Sequence, residues 1–480
     1  MRIRISSGTD IKTGILFFTK AAASKLYDGE GGVFQGEYLQ TLPRLSLGGK
    51  QECCVGLGDK ALTKREVMEA AACGAAFMRE HKISQFYVDV TGLKGMLTEE
   101  NFTCLIQGIC LGGYEQPNFG AEKRYEAEAI LTGDLEEVTG LTKEHLEVLL
   151  SQGQHMAQAI SFARDMVNYP GNLLRPADFA EAIRMQMEDL DVEVEIFQQN
   201  QLEEMEMGGL LTVGSGSAYP PCMVVLRYRG AKADEKKSET LGLIGKGVTC
   251  DTGGYCLKPS GSMAGIRGDM AGGAAVAGCI YALAADRVEV NVTGVIPICE
   301  NRISPGSYLP GDVITMYNKT RVEICNTDAE GRLILGDAVA YAVEREGVEQ
   351  VVDIATLTGA VVNLFGFSIG GVLCDSDELY TRFEEAKDRS TEQYARIPYF
   401  AEHEEMLKSG CADIKNLGPD YCGTITAGLF IRRFAKERPW LHMDIAGTAW
   451  VDGPIWKFQS KGATGAGVST LYELCKGKEK

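Results

Sequence analysis

Along the first 170 residues the apolar positions recur at two different spacings. Phe86, Val88 and Val90 alternate with polar neighbours, as on a strand with one buried face. Thr63-x-x-Glu66 has the form of a capping box, and Val67, Ala71, Ala75 and Met78 follow at helical spacing. A longer stripe runs through Leu146, Leu149, Leu150, Met156, Ile160, Ala163 and Val167. Thr142 can cap it, and Asn168-Tyr169-Pro170-Gly171 ends it, because proline and glycine break a helix. A helix of this length between two αβ regions reads as a connector; a core helix of either region fits the same stripe.

Beyond residue 170 the runs become more strongly apolar. Residues 192–197, 223–228, 241–244, 290–298 and 351–354 read as strands, several of them nearly continuous in apolar side chains. Such runs mark strands covered by helices on both faces. Helical patterns at 177–187 and 333–345 separate some of them. The fold class is α/β: a smaller N-terminal α/β domain over 1–145, a connecting helix over 146–168, and a C-terminal domain over 169–480 with a mixed β-sheet sandwiched between helices. Lys246 directly follows one predicted strand, and Thr356-Leu357-Thr358-Gly359 follows another. Ligands of open α/β sheets bind beyond the carboxyl ends of strands, so both segments are candidates for a site.

Composition narrows the function classes. Apolar residues make up 45% of the chain and charged residues 24%, the balance of a soluble globular protein. The net charge of −18 argues against general affinity for nucleic acid or an anionic membrane surface. The 15 cysteines are odd in number and include no C-x-x-C, so free thiols in a reducing compartment are expected, and with them a cytoplasmic location. Ile15-Leu16-Phe17-Phe18 is too short for a signal-peptide core, and the small-apolar run from Ala274 to Ala285 is short of a membrane span.

The densest chemistry lies in Asn326-Thr327-Asp328-Ala329-Glu330-Gly331-Arg332. If this segment is extended, alternation puts Asp328, Glu330 and Arg332 on one face. About eighty residues earlier a glycine-rich run carries Lys246, Asp251 and Lys258, with Asp269 after it. Together these give four carboxylates, two lysines and one arginine. Four carboxylates balance two divalent cations, which points to a two-metal hydrolase. No histidine lies between Lys246 and Arg332, so a zinc site of the H-E-x-x-H kind is absent. The oxygen-rich donor set suits Mn²⁺, Mg²⁺, Co²⁺ or Zn²⁺. An ordinary ion pair with one of the aspartates is the plainer reading of Lys246 on its own.

G-K-G-V-T-C-D-T-G-G-Y-C-L-K-P, R-G-D-M-A-G-G-A-A-V and N-T-D-A-E-G-R-L, from residue 245 to residue 333, resemble the leucyl aminopeptidase (cytosol aminopeptidase) family of dinuclear metallopeptidases. The likeness runs from about residue 160 to the end and includes the motifs around Asn168, Thr356, Thr424 and His442. The resemblance implies that Lys246, Asp251, Asp269, Asp328 and Glu330 ligate two metal ions per chain, Mn²⁺ or Zn²⁺ first among the candidates, with Asp251 and Glu330 bridging. It implies catalytic roles for Lys258, as oxyanion donor, and for Arg332, as the holder of a bicarbonate that acts as general base. A Lys246 amine beside two cations is expected to have a lowered pKa. Ile266, Thr356, Gly359 and Ala446 are the implied pocket for the first side chain, although each fits simple core packing equally well. Cys250 and Cys256 depart from the family pattern, as do Arg302 and Ile266, and His442 reads as a packing or supporting residue.

The function so implied is a metal-dependent aminopeptidase that releases N-terminal, preferably apolar, residues from short peptides with a free N-terminus, as a homo-hexamer. Three alternatives stand beside it, one of them an inactive scaffold, disfavoured because all seven charged positions are present. A two-metal phosphoesterase needs similar groups. A nucleic-acid-binding regulatory role would be an addition to peptidase activity, and the acidic charge disfavours it.

Overall fold

Thr63 caps the helix Lys64–Glu80: its hydroxyl accepts from Glu66 N, and the Glu66 carboxylate accepts from Thr63 N at 2.9 Å. The reciprocal pair satisfies two donors that a helix end leaves open. Val67, Ala71, Ala75 and Met78 form part of the buried face of this helix. The structure, a computed structural model, describes residues 1–6, 8–26, 34–45, 50–232 and 240–477. The chain divides into two compact units, residues 1–161 with 452–461, and residues 162–451 with 462–480. The boundary falls inside helix Lys143–Asn168. Residues 452–461 depart from the sequence expectation, which kept all of 169–480 together. They lack a periodic apolar pattern and join the first unit through single contacts: Lys457 N donates to Glu69 Oε1 at 3.1 Å, and Arg65 lies over the Trp456 ring.

The first unit is built on a six-stranded sheet in the order Arg2–Ile5, Glu128–Thr132, Gln85–Asp89, Thr13–Thr19, Gln51–Gly58, Thr41–Leu45. All neighbours are parallel except the last pair. Helices Lys64–Glu80 and Glu99–Gly112 supply much of its core, with Phe86, Phe102 and Met78 fully buried.

The second unit holds a nine-stranded mixed sheet. Its central strands Trp440–Asp444, Gln350–Ala355, Thr240–Gly245 and Asn291–Asn301 run parallel, and strand Gly247–Asp251 continues beside the last of them. Antiparallel strands Gly370–Cys374 and Cys222–Arg229 flank this centre. Alternation sends neighbouring side chains to opposite faces. Ile296 meets Gly273 of helix Ala271–Ala285, whereas Val295 belongs to the cluster of Leu333, Ala338, Phe430 and Trp440. Both faces are therefore covered by helices, which is why these strands read as continuous apolar runs. The stretch Ile266–Ala285 is long and apolar enough to resemble a membrane span, yet 83% of its most apolar window is buried inside the protein. It is read as a core helix.

Candidate active site

The site forms where parallel strands of the second unit end. Lys246 sits between strands Thr240–Gly245 and Gly247–Asp251 and is 3% exposed. Its Nζ lies 2.7 Å from Asp269 Oδ2 and 2.9 Å from Glu330 Oε1, and it donates to the carbonyl of Thr356 at 2.9 Å. Asp251 closes the strand Gly247–Asp251, and its Oδ1 accepts from Gly253 N at 3.0 Å and from Asn301 Nδ2 at 2.9 Å. Gly253 has φ +85°, and a Cβ there would lie 2.6 Å from the Cys256 carbonyl, so this turn needs glycine. Asn301 also donates to Thr327 O at 3.0 Å, tying Asp251 to the segment that carries Asp328 and Glu330.

Asp328, Glu330 and Arg332 reach the same cavity, but not by strand alternation. Residues 327–328 form a turn, and Gly331 begins the helix Gly331–Glu344 with Glu330 as its N-cap. The turn is fixed by side chains: Asn326 Oδ1 accepts from Asp328 N at 2.7 Å, and Asn416 Nδ2 donates to Asn326 O at 2.7 Å. Asparagine favours such local closure over an extended strand. Gly331 has no room for a side chain, since a Cβ would meet Lys246 Cε at 2.7 Å.

Lys258 lies 2.8 Å from Asp251 Oδ2 and also pairs with Asp328. Arg332 is 5% exposed, and its Nη1 donates to Asn416 O at 2.8 Å. Among the described residues it makes no ion pair with Asp328 or Glu330. One oxygen each of Asp251, Asp328 and Glu330 lies within 4.8 Å of the others. Asp269 is joined to this trio through Lys246.

Burial, and then Asp251, pushes the Glu330 carboxyl well above the usual range, and burial pushes Asp269 and Asp328 up as well. Burial pulls Lys246 down, but Asp269, Glu330 and Asp251 outweigh it and hold the amine above its ordinary value. The lowering expected from the sequence belongs to an amine beside cations; the protein's own groups push the other way. Burial lowers the Arg332 guanidinium to about 10. Asp269 Oδ2 and Glu330 Oε1 are buried and within ion-pair reach of Lys246, yet neither is aligned to accept a hydrogen bond. Buried carboxylates crowded this closely are the donor set that divalent cations satisfy. The residues fit a metal centre.

The adjoining cavity of about 470 Å³ is lined by all seven charged candidates and by Ile266, Thr356, Gly359 and Ala446. Thr356 Oγ1 donates to Asp269 Oδ1 at 2.7 Å, and a Cβ on Gly359 would meet nothing within 4 Å. Ala449, Trp450 and Leu417 also line the cavity and were not singled out in the sequence, where a small or apolar residue carries no signal of its own. Asn301 and Asn416 were missed for a different reason: their hydrogen-bond partners lie far away in the chain. Arg302 is not among the lining residues; it pairs with Glu300 at 2.7 Å. Burial pushes the Cys250 thiol up to about 11, and Cys256 Sγ accepts from Thr327 N at 3.4 Å, so both thiols pack rather than join the carboxylate trio. His442 is fully buried, with Nδ1 2.5 Å from Asp353 Oδ1.

The family described as "Cytosol aminopeptidase family, catalytic domain" matches residues 161–472. A probable cytosol aminopeptidase of Clostridium perfringens is 37% identical over 88% of this chain and 85% of its own length. One of Clostridium tetani is 33% identical over 99% of both chains. Among solved structures, the bottromycin maturation enzyme BotP in complex with Mn superposes with a TM-score of 0.86 at 31% identity, covering 97% of this chain and 99% of that one. The motifs at the strand ends, the fold around them and these matches converge: the chain belongs to the cytosol aminopeptidase family and is a metallo-aminopeptidase.

Proposed function

We propose that this chain releases N-terminal, preferably apolar, residues from short peptides, using two divalent cations held by Lys246, Asp251, Asp269, Asp328 and Glu330. The observation that carries the reading is the meeting of four carboxylates, two lysines and one arginine in one cavity whose other lining residues are mostly small or apolar. Bound there, the cations supply Lewis acidity, polarising a peptide carbonyl and acidifying a water. Mn²⁺ and Zn²⁺ are the first candidates, and Mg²⁺ and Co²⁺ suit the same oxygen-rich set. The manganese of the BotP complex supports this choice.

The protein groups divide the remaining work. Lys246 offers a lone pair once its amine is neutral, a form that neighbouring positive charge favours. Lys258 Nζ, at the cavity wall, donates to the oxyanion that develops on the scissile carbonyl. Arg332, buried and cationic, would hold an anion such as bicarbonate, which would supply a general base. Asp269, oriented by Thr356 Oγ1, pairs with the free α-amine of the substrate. The pocket of Ile266, Thr356, Gly359 and Ala446 offers no charge to a first side chain, so a charged one would be buried unpaired. We further propose a homo-hexamer, checked by light scattering, and a cytoplasmic location.

Exhaustive chelation should abolish hydrolysis of leucine anilide, and Mn²⁺, Zn²⁺ or Co²⁺ should restore it. Leucine and methionine anilides should exceed aspartate and lysine anilides in kcat/KM, and N-acetyl forms should not react. Equal turnover of acetylated and free substrates would overturn the exopeptidase reading. Full activity of a metal-free preparation would overturn the metal reading.

A further inference from the structure

Behind the pocket wall lies a carboxylate that the chemistry above does not use. Asp444 ends the strand Trp440–Asp444 and is 0% exposed. In the parallel register it lies opposite Ala355, the last residue of strand Gln350–Ala355. The two loops that follow these strands, 356–359 and 445–447, thus leave the sheet side by side, with Asp444 at their root. Its Oδ1 accepts from Leu357 N at 3.2 Å and from Ala446 N at 3.2 Å. Its Oδ2 accepts from Thr358 Oγ1 at 2.6 Å.

The Thr358 hydroxyl has one proton, and Asp444 takes it, so the hydroxyl is an acceptor for its other partners. These are Thr424 Oγ1 at 2.8 Å and Val361 N at 3.2 Å, the latter capping the helix Gly359–Phe365. Leu357, Thr358 and Ala446 all line the cavity. Thr356, next to Leu357, links this loop to the proposed metal ligands: its carbonyl accepts from Lys246 and its hydroxyl donates to Asp269. Asp353 supports the arrangement from the neighbouring strand, accepting from Trp440 Nε1 at 2.7 Å and bonding His442 Nδ1. Burial raises the Asp444 carboxyl above its usual range, and His442 opposes that shift in part.

A wholly buried carboxylate is costly unless donors satisfy it, and an apolar group fills space without that cost. Among the described residues the donors to Asp444 are Leu357 N, Thr358 Oγ1 and Ala446 N, and all three residues line the cavity. Resting on the proposed pocket for the first side chain, we propose that Asp444 is a positioning residue for substrate selection: it fixes the separation of the 356–359 and 445–447 loops, and so the width of that pocket. It touches no substrate atom and acts through Leu357, Thr358 and Ala446. Loosening it widens the choice of first residue without removing the charged machinery.

The test compares leucine and glycine anilides, since glycine places nothing in the pocket. In metal-loaded Asp444→Ala and Thr358→Val proteins the leucine-to-glycine ratio of kcat/KM should fall by about 10-fold, mostly through KM for the leucine substrate. Metal content should stay at the wild-type level, and Thr358→Ser should restore most of the ratio. An unchanged ratio in folded, metal-loaded Asp444→Ala overturns the proposal. If that variant does not fold, an unchanged ratio in Thr358→Val overturns it. An equal loss on both substrates, or loss of metal, assigns Asp444 a purely structural role and overturns it too. A wild-type enzyme with no preference for leucine over glycine is a separate result: it removes the pocket reading itself.

Discussion

Each unit contains a lysine held between two carboxylates, and the two triads are alike in geometry. In the first unit Lys20 Nζ lies 2.8 Å from Glu37 and 3.2 Å from Asp59. In the second, Lys246 Nζ lies 2.7 Å from Asp269 and 2.9 Å from Glu330. Depth separates them. Side-chain exposures are 36%, 55% and 63% in the first triad and 3%, 15% and 1% in the second. Water and salt screen the first, and its ions lose little hydration by pairing. The second is mostly withdrawn from solvent at the cavity wall, so its charges lose much of their hydration and are expensive. Ion pairs identical on paper differ in kind: one decorates a surface, the other is held ready for chemistry.

The sharpest way to break this comparison is to remove each lysine. Lys246→Ala leaves Asp269 and Glu330 buried without their cation. Breaking one side of a buried pair costs about 3–5 kcal/mol, so urea unfolding of chelated protein should show a loss of that order. Metal content and anilide hydrolysis should fall together in the loaded enzyme. A loss below about 1 kcal/mol would put Lys246 in the class of surface pairs.

Lys258 sharpens the same contrast inside the cavity. It contacts Asp251 and Asp328, yet its proposed task is to donate to the transition state rather than to hold metal. Lys258→Ala should lower kcat by about 10²–10³ with metal content intact, read by steady-state kinetics beside metal analysis. Joint loss of metal and activity would make Lys258 a structural partner of the carboxylates instead.

These charged positions were legible in the sequence because each belongs to a short motif whose residue types have few other uses. Lys246 and Thr356 follow apolar runs that read as strands, and both stand at strand ends. The local backbone was less legible: Asp328 and Glu330 reach the cavity through an asparagine-fixed turn and a helix start, since side-chain closure by Asn326 and Asn416 competes with extension. Asn301, Asn416 and Asp444 act through hydrogen bonds to residues 26 to 91 positions away in the chain, and although Asp444 lies in the motif around His442, the sequence does not reveal these partners. Residues 452–461 illustrate the same limit for the fold, because their place rests on single contacts such as Arg65 over Trp456.

Ala449 tests the uncharged side of the cavity. It lines the pocket region with Gly359 and Ala446, and it is 3% exposed. Ala449→Leu adds bulk where the proposed first side chain sits. Discrimination by a few methylene groups is worth roughly 10–200-fold, so kcat/KM for leucine anilide should fall by about 10-fold while alanine anilide is spared. Equal losses on both substrates would mean that Ala449 shapes the backbone rather than the pocket.

Lys20→Ala should have the smallest effect of all, and it tests the other half of the comparison. Hydrogen bonds to Glu37 and Asp59 raise the Lys20 pKa, so on contacts alone the lysine looks as engaged as Lys246. Its charge is nevertheless in water, and ordering three mobile side chains offsets much of what their attraction supplies. Glu37 and Asp59 can rehydrate when the lysine is gone, whereas Glu330, 1% exposed, has little access to water. The melting temperature, the metal content and the kcat for leucine anilide should all match the wild type, at low salt and at high salt. A drop in melting temperature comparable to that of chelated Lys246→Ala would mean that depth does not govern these triads, and the contrast between the two units would have to be sought in their partners instead.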